Sequence, residues 1–549
     1  MKKPAIAAAC LLAAFFTITA AAQTLAPALK PKVDAVFKEY DSADSPGCAL
    51  GIYEDGKIAY AHGYGMASLE NSVPITPQTI FDLGSTSKQF TAYSILLLER
   101  EGKLSVDNDI RRFLPEMRQY QRTITIADLL HHTSGLRDYL TLWALAGVPT
   151  ENWTTDEQAL QLILRQKATN FTPGSEYLYS NSGFFLLSEV VKRASGKTLR
   201  EYALEHIFTP LGMKHTFHLD DHRKVIPHRA TGYDKLREGG FGVDMSNFEQ
   251  TGDGAVQTSV EDLLLWDNNF YAPKVGDAEM LKRLQTRGRL TDGEVLDYAD
   301  GLVIGKYRGQ PRVSHGGSWA GYRAELMRFP EQHTSFAVLC NLGNTNPSRL
   351  AEQVADVVLA DKLQPEAKKS AGAPAAGKPQ AGLESYEGIY ENAATGELRR
   401  IFVREGKLAV GAGGGRTLNA VGPGEFEIPN AGVRLVFAGN GEMRSVPDSG
   451  KPSNFRRLAP AKSADLSAYP GAFYSDELDT NWTFSLSEGR LVATQKNGEK
   501  MPLLQASDDL FMTDRGLRVH FERDGGRVVR AVVGAGRVRD LVFARVEGK

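Results

Sequence analysis

Apolar and polar residues alternate in "CALGIYEDGKIAYAHGYG" (48–65) on either side of Glu54-Asp55-Gly56. Two such runs around an Asp-Gly pair predict a β-hairpin. A second pattern of this kind, "RVSHGGSWAGYRAELMRFPEQHTSFAVLCN" (312–341), predicts two adjacent antiparallel strands around a Pro-Glu-Gln turn. Between the two regions the period lengthens. "FTAYSILLLER" (90–100) is apolar nearly all round and predicts a buried helix. "GFFLLSEVVKRASG" (183–196) predicts an amphipathic helix closed by Gly196. Strands at both ends with helices between them predict an α+β domain built on one main antiparallel sheet.

The texture changes after "LQPEAKKSAGAPAAGKPQAG" (363–382), which is rich in Ala, Gly, Pro and Lys and reads as a linker. Beyond it come short alternating strands with glycine turns, and a repeat. Tyr386-Glu387-Gly388 recurs as Tyr469-Pro470-Gly471, Glu405-Gly406-Lys407-Leu408 as Glu488-Gly489-Arg490-Leu491, and "VRLVF" (433–437) as "LRVHF" (517–521). Two related all-β modules of about 80 residues, barrels or sandwiches, fit this repeat. The expected division is 23–362, linker 363–382, 383–461 and 462–549, in line with roughly three domains for a chain of 549 residues.

The first residues read as an export signal. Lys2 and Lys3 precede the apolar run 5–16, and Ala20-Ala21-Ala22 offers a cleavage site before Gln23. An uncleaved anchor is the alternative, although the run is short for a membrane span. A periplasmic or secreted protein, soluble once cleaved, is expected. Composition is that of a globular protein, 42% hydrophobic and 24% charged, and a net charge of −2 gives no sign of a nucleic-acid partner. Cys10 leaves with the signal, so Cys48 and Cys340 remain. Export permits a disulfide between them, but sequence supplies no geometry, and two buried free thiols are the expectation. Adjacent His131 and His132 cannot share a helix face as metal ligands. No metal or cofactor is implied.

Ser85-Thr86-Ser87-Lys88 is a Ser-x-x-Lys at the start of the buried helix. Residues i and i+3 share a helix face, so the hydroxyl and the amine can meet. Burial lowers the pKa of an amine and turns Lys88 towards a base. The helix N-terminus adds partial positive charge where an oxyanion would form. Taken alone, the pattern is a serine cap with a lysine that reaches solvent. Two further stretches change that reading. In "YSN" (179–181) a tyrosine can relay a proton and Asn181 can hydrogen-bond an amide. In "HGG" (315–317) glycines within a strand suggest close approach to the backbone, as by a substrate lying along it.

In this order the chain resembles the serine β-lactamase and penicillin-recognising hydrolase family, whose motifs are Ser-x-x-Lys, Tyr-x-Asn and Lys/His-x-Gly. "ADLLHHTSGL" (127–136), "FTPGSEYLYSNSGFFLLSEVV" (171–191) and "PLGMKHTF" (210–217) resemble the same family, over about residues 33–362. The resemblance implies Ser85 as the acylated nucleophile, with Lys88 and Tyr179 sharing the acid and base work. It implies that Asn181 orients the acyl side chain and that His315 and Gly317 line the substrate strand. The backbone N–H groups of Ser85 and Ser318 would form the oxyanion hole, and His131 and His132 would support the fold. A Glu-x-x-Leu-Asn stretch, which supplies a deacylating glutamate in class A enzymes, is absent between the motifs. That favours a tyrosine-assisted, class C-like route.

Most β-lactamases and DD-peptidases carry lysine where His315 stands. A mostly neutral imidazole binds a substrate carboxylate less well. His-x-Gly and the duplicated β modules resemble the family's D-aminopeptidases, which carry two C-terminal barrels with a loop from one reaching the active site. The expected activity is that of an exported peptidase or amidase on short peptides, D-residue peptides among them. The alternatives are an esterase, a class C-like β-lactamase or DD-peptidase, and a non-catalytic binder of cell-wall or peptide partners. The expected partner is a small peptide, ester or β-lactam.

Overall fold

A computed structural model describes residues 24–365, 382–411, 415–429, 431–447, 451–463 and 465–547. The expected export signal and most of the expected linker lie outside the described residues.

The predicted hairpin forms from strands Cys48–Glu54 and Lys57–Tyr64. Its turn places Asp55 and Gly56 at φ 47° and 77°, the left-handed pair that matches strand twist. Residues 312–341 hold three strands rather than two. Gln310–Trp319 turns at Ala320-Gly321 into Tyr322–Phe329, and Pro330–Gln332 then leads into Thr334–Cys340. The six-stranded antiparallel sheet runs Val303–Tyr307, Gln310–Trp319, Tyr322–Phe329, Thr334–Cys340, Cys48–Glu54, Lys57–Tyr64. The first strand therefore pairs with the last of its region, across nearly 300 residues.

That pairing corrects the expectation of two free thiols. The register sets Cys48 directly opposite Cys340, with Cα atoms 4.0 Å apart, and the pair forms a disulfide. Neither cysteine is exposed. The residue types were compatible with either state; only the strand register distinguishes them.

Helix Lys88–Arg100 is buried at every position from Lys88 to Leu98. Its neighbour Asn181–Ser195 ends at Gly196 with φ 77°, as its glycine predicted. The C-terminal region is all-β. One nine-stranded sheet runs from Gly388–Glu391 to Ser453–Arg457, and an eight-stranded closed barrel from Gly471–Ser475 to Val538–Arg545. The sequence repeat maps onto equivalent backbone. Glu405-Gly406 and Glu488-Gly489 each turn a hairpin, at φ 52° and 72° and at φ 51° and 72°.

The barrel is joined to the N-terminal α+β region by directed bonds. Of the last carbonyls of helix Tyr139–Ala146, that of Ala144 accepts the cap N–H of Gly147 at 3.2 Å and has a lone pair to spare. Barrel side chains bond to these carbonyls: Trp482 Nε1 donates to Leu145 O at 3.0 Å, and Gln495 Nε2 to Ala144 O at 3.1 Å. Arg137 Nη1 lies 2.8 Å from Glu477 Oε2, both side chains being buried. No helix among the described residues is long and apolar enough to cross a membrane.

Replacing Cys48 and Cys340 together with alanine removes a cross-link over a long loop. We expect a loss of about 2–4 kcal/mol, read as a fall of several degrees in the Tm of the N-terminal α+β region by calorimetry. An unchanged Tm would show that the bond adds nothing to this sheet.

Candidate active site

Ser85 sits in a single 3₁₀ turn, Gly84–Ser87, that feeds helix Lys88–Arg100. The turn starts from Gly84 at φ 49°, with its N–H bonded to the buried Asp82 carboxylate at 2.7 Å. Ser85 is half-buried, whereas Lys88 is wholly enclosed.

Three acceptors surround the Lys88 amine. Nζ donates to Ser85 Oγ at 3.2 Å, to Asn181 Oδ1 at 2.9 Å and to the Asp253 carbonyl at 2.6 Å. It also lies 4.9 Å from the Tyr179 ring centroid. Burial pushes its pKa well below that of an ordinary lysine, and the Arg537 guanidinium adds to this; the Asp253 carboxylate opposes it. Burial in turn raises the Asp253 carboxyl. Asp253 Oδ2 accepts from Tyr139 Oη at 3.1 Å. Ser-x-x-Lys and Tyr-x-Asn thus converge through one amine.

The Tyr179 hydroxyl is buried and has no hydrogen-bond partner among the described residues. Burial raises its pKa far above the usual phenol value, while Ser85 and Arg537 pull the other way. His132 stacks behind it, with ring centroids 4.1 Å apart, and its Nδ1 accepts from the Ser180 N–H at 3.2 Å. His132 is held neutral by burial. Its contacts are with the wall of the site and not with Ser85.

The third motif lies on strand Gln310–Trp319, where glycine is required for a different reason from the one expected. A Cβ on Gly317 would fall 1.8 Å from Leu83 O, and one on Gly84 would fall 2.7 Å from Ser318 N. The backbone that approaches the strand is the protein's own Ser85 turn. Thr86 Oγ1, donating to His315 O at 3.0 Å, fastens the two together. The exposed Ser318 is thereby set beside the turn.

Both His315 nitrogens are occupied. Nδ1 lies 2.7 Å from Gly316 O, which can only accept, so Nδ1 carries the proton. Nε2 is then left to accept from Tyr298 Oη at 3.0 Å. Burial, followed by the Lys88 charge, holds the imidazole pKa down to about 4. His315 is neutral at pH 7 and has no donor left for a carboxylate.

A cavity of about 530 Å³ joins Ser85, Tyr179, Asn181, His315, Gly317 and Ser318. Trp319 and Tyr322 also line it; Trp143 is core, and Trp153 is mostly exposed. The barrel contributes Arg537, from the turn between Arg527–Ala535 and Val538–Arg545. Asn170 grips this turn on both sides: its Nδ2 donates to Arg537 O at 2.9 Å, and its Oδ1 accepts from the Arg539 N–H at 2.7 Å. The guanidinium lies 4.6 Å from the Tyr179 ring centroid.

Asp138, Asp253, Tyr298 and Arg537 were not singled out in the sequence. Asp253 stands between glycines in "TGDGAV", a weak signal, and Arg537 could be found only through the fold.

Residues 33–360 match the family model described as Beta-lactamase. The chain belongs to the β-lactamase family. A D-aminopeptidase of Gluconobacter oxydans is 27% identical over 524 residues, covering 91% of this chain and 96% of that protein. Penicillin-binding protein 4* of Bacillus subtilis is 31% identical over 304 residues, covering 52% of this chain and 66% of that protein. Among solved structures, the octameric penicillin-binding protein homologue from Pyrococcus abyssi aligns with a TM-score of 0.55 at 22% identity, over 86% of this chain and 99% of that one. The D-amino acid amidase from Ochrobactrum anthropi aligns at 0.52 with 20% identity, over 61% and 99%.

The environment of Lys88 sets a pH dependence. kcat/KM for an uncharged ester should rise as the amine loses its proton, well below the pH at which an ordinary lysine titrates. Asp253 stabilises the ammonium, so Asp253→Asn should move this limb to lower pH. A limb at the ordinary lysine value, or a shift to higher pH in Asp253→Asn, would contradict the arrangement.

Proposed function

We propose that the protein is a serine peptidase or amidase that works through an acyl-enzyme on Ser85. The observation that carries this is the contact between the Lys88 amine and Ser85 Oγ, 3.2 Å, at a lysine with no exposure. A deprotonated Lys88 takes the proton of Ser85 as Oγ bonds to the substrate carbonyl carbon. The N–H groups of Ser85 and Ser318 hold the oxyanion. The C–N bond then breaks, and the leaving nitrogen receives the proton through Tyr179. A water oxygen next attacks the acyl carbon, and Ser85 regains its proton as the acid departs. The direct bond supports Lys88 rather than Tyr179 as first acceptor. Asn181, already bonded to Lys88 through Oδ1, keeps its amide NH₂ for the acyl part of the substrate.

Short peptides, including those of D-residues, are the substrates we assign. The similarity to D-aminopeptidases over nearly the whole chain supports this, as does a neutral His315 that offers no charge to a β-lactam carboxylate. The N-terminal pattern and the buried disulfide support a periplasmic or secreted location.

A fluorophosphonate or fluorescent penicillin should label the protein, seen as a mass shift of the intact chain, and Ser85→Ala should abolish labelling. kcat/KM on a D-alanyl anilide should fall at least about 10³-fold in that variant. Cleavage of a chromogenic cephalosporin alone, with no anilide cut, would overturn the peptidase assignment. Labelling that survives in Ser85→Ala would overturn the nucleophile.

A further inference from the structure

Three pairings or near-pairings account for the charges around the cavity. Lys88 faces Asp253, and buried Asp82 feels Arg229. Arg537 differs from both. Among the described residues its acidic partner is Asp138, with Nη1 3.9 Å from Oδ2. That distance is beyond a hydrogen bond. The Asp138 oxygens are also occupied: Oδ1 accepts from the Thr141 N–H and hydroxyl at 2.9 and 3.0 Å, and Oδ2 accepts from the Asn181 N–H at 2.7 Å. No hydrogen bond from the Arg537 side chain is found among the described residues.

The guanidinium is nevertheless held in place. Its backbone is gripped by Asn170 and also accepts from the Asp138 N–H at 3.3 Å, and its plane lies near the Tyr179 ring. The result is a partly exposed cation with a fork of donors that no side chain takes up among the described residues, carried on an anchored turn at the wall of the cavity that contains Ser85. Its neighbours are Tyr179 and Asp138, beside the start of helix Asn181–Ser195. It therefore lies beside Tyr179 and the start of the helix that carries Asn181. On strand Gln310–Trp319, His315 has no donor to offer.

We propose that Arg537 is a substrate-binding residue for a carboxylate carried by the acyl part of the substrate. The inference rests on the acyl-enzyme reading above and specifies its substrate class as amides and esters of acidic acyl groups, such as acidic D-aminoacyl residues. The β-barrel thereby supplies a specificity residue to a site whose chemistry lies wholly in the catalytic region.

D-glutamyl and D-glutaminyl α-(4-nitroanilides) differ only in a side-chain carboxylate against its amide. The wild-type protein should favour the glutamyl substrate by about 10–100-fold in kcat/KM, the range of a charge-assisted hydrogen bond. Arg537→Gln should bring this ratio to about one, and Arg537→Lys should restore part of it. Equal use of the two anilides by the wild type, or an unchanged ratio in Arg537→Gln, would overturn the proposal. So would a preference for free over amidated C-termini in dipeptide substrates that disappears in Arg537→Gln, since it would assign the guanidinium to the leaving group. Fluorophosphonate labelling of Ser85 is read in parallel. Its absence would count against the hydrolase reading itself, whereas labelling with a ratio near one would refute only the role of Arg537.

Discussion

The arrangement of the site depends on one enclosed amine. An ammonium taken out of water is costly unless acceptors surround it. Lys88 meets that demand with a hydroxyl, an amide oxygen and a backbone carbonyl, drawn from three separate stretches of chain. Each acceptor is also a constraint on geometry. Ser85 is fixed by helix periodicity, Asn181 by the start of the neighbouring helix, and Asp253 by its glycine-flanked loop. Burial lowers the proton affinity of the amine, so the contacts that assemble the site also prepare it for chemistry.

The strand bearing the third motif is positioned by exclusion of side chains. Gly84 and Gly317 let two backbones touch where any Cβ would collide. A one-residue slip of this strand would carry His315 away from Tyr298, and the slip that brings Ser318 to the place of Gly317 would drive a side chain into Leu83. The sheet register, set by six antiparallel strands and tied at one end of a strand pair by a disulfide, therefore reaches directly to the Ser85 turn.

Much of this was legible in the sequence because local rules agree with the global fold. Asp55-Gly56 specified a hairpin, Gly196 a helix end, and the apolar run after Ser85 a buried helix. The repeat around Glu405-Gly406 and Glu488-Gly489 marked duplicated β hairpins. Long-range facts were not legible. Cys48 and Cys340 face each other through a register that no local pattern encodes. The strand glycines suggest a close approach to the backbone, and that the Leu83 carbonyl makes this approach at Gly317 is visible only in the fold. Arg537 is more than 350 residues from Tyr179, and nothing near it in sequence signals a role in the cavity.

The bonds from Trp482 and Gln495 to the end of helix Tyr139–Ala146 have a consequence for how this architecture can diversify. With the barrel fastened there and its Arg537 turn gripped separately by Asn170, the residue at that turn can be exchanged while the contacts around Lys88 stay untouched. The proposed selectivity residue and the proposed reactive groups then sit on separate parts of the polypeptide, and each can drift under its own selection.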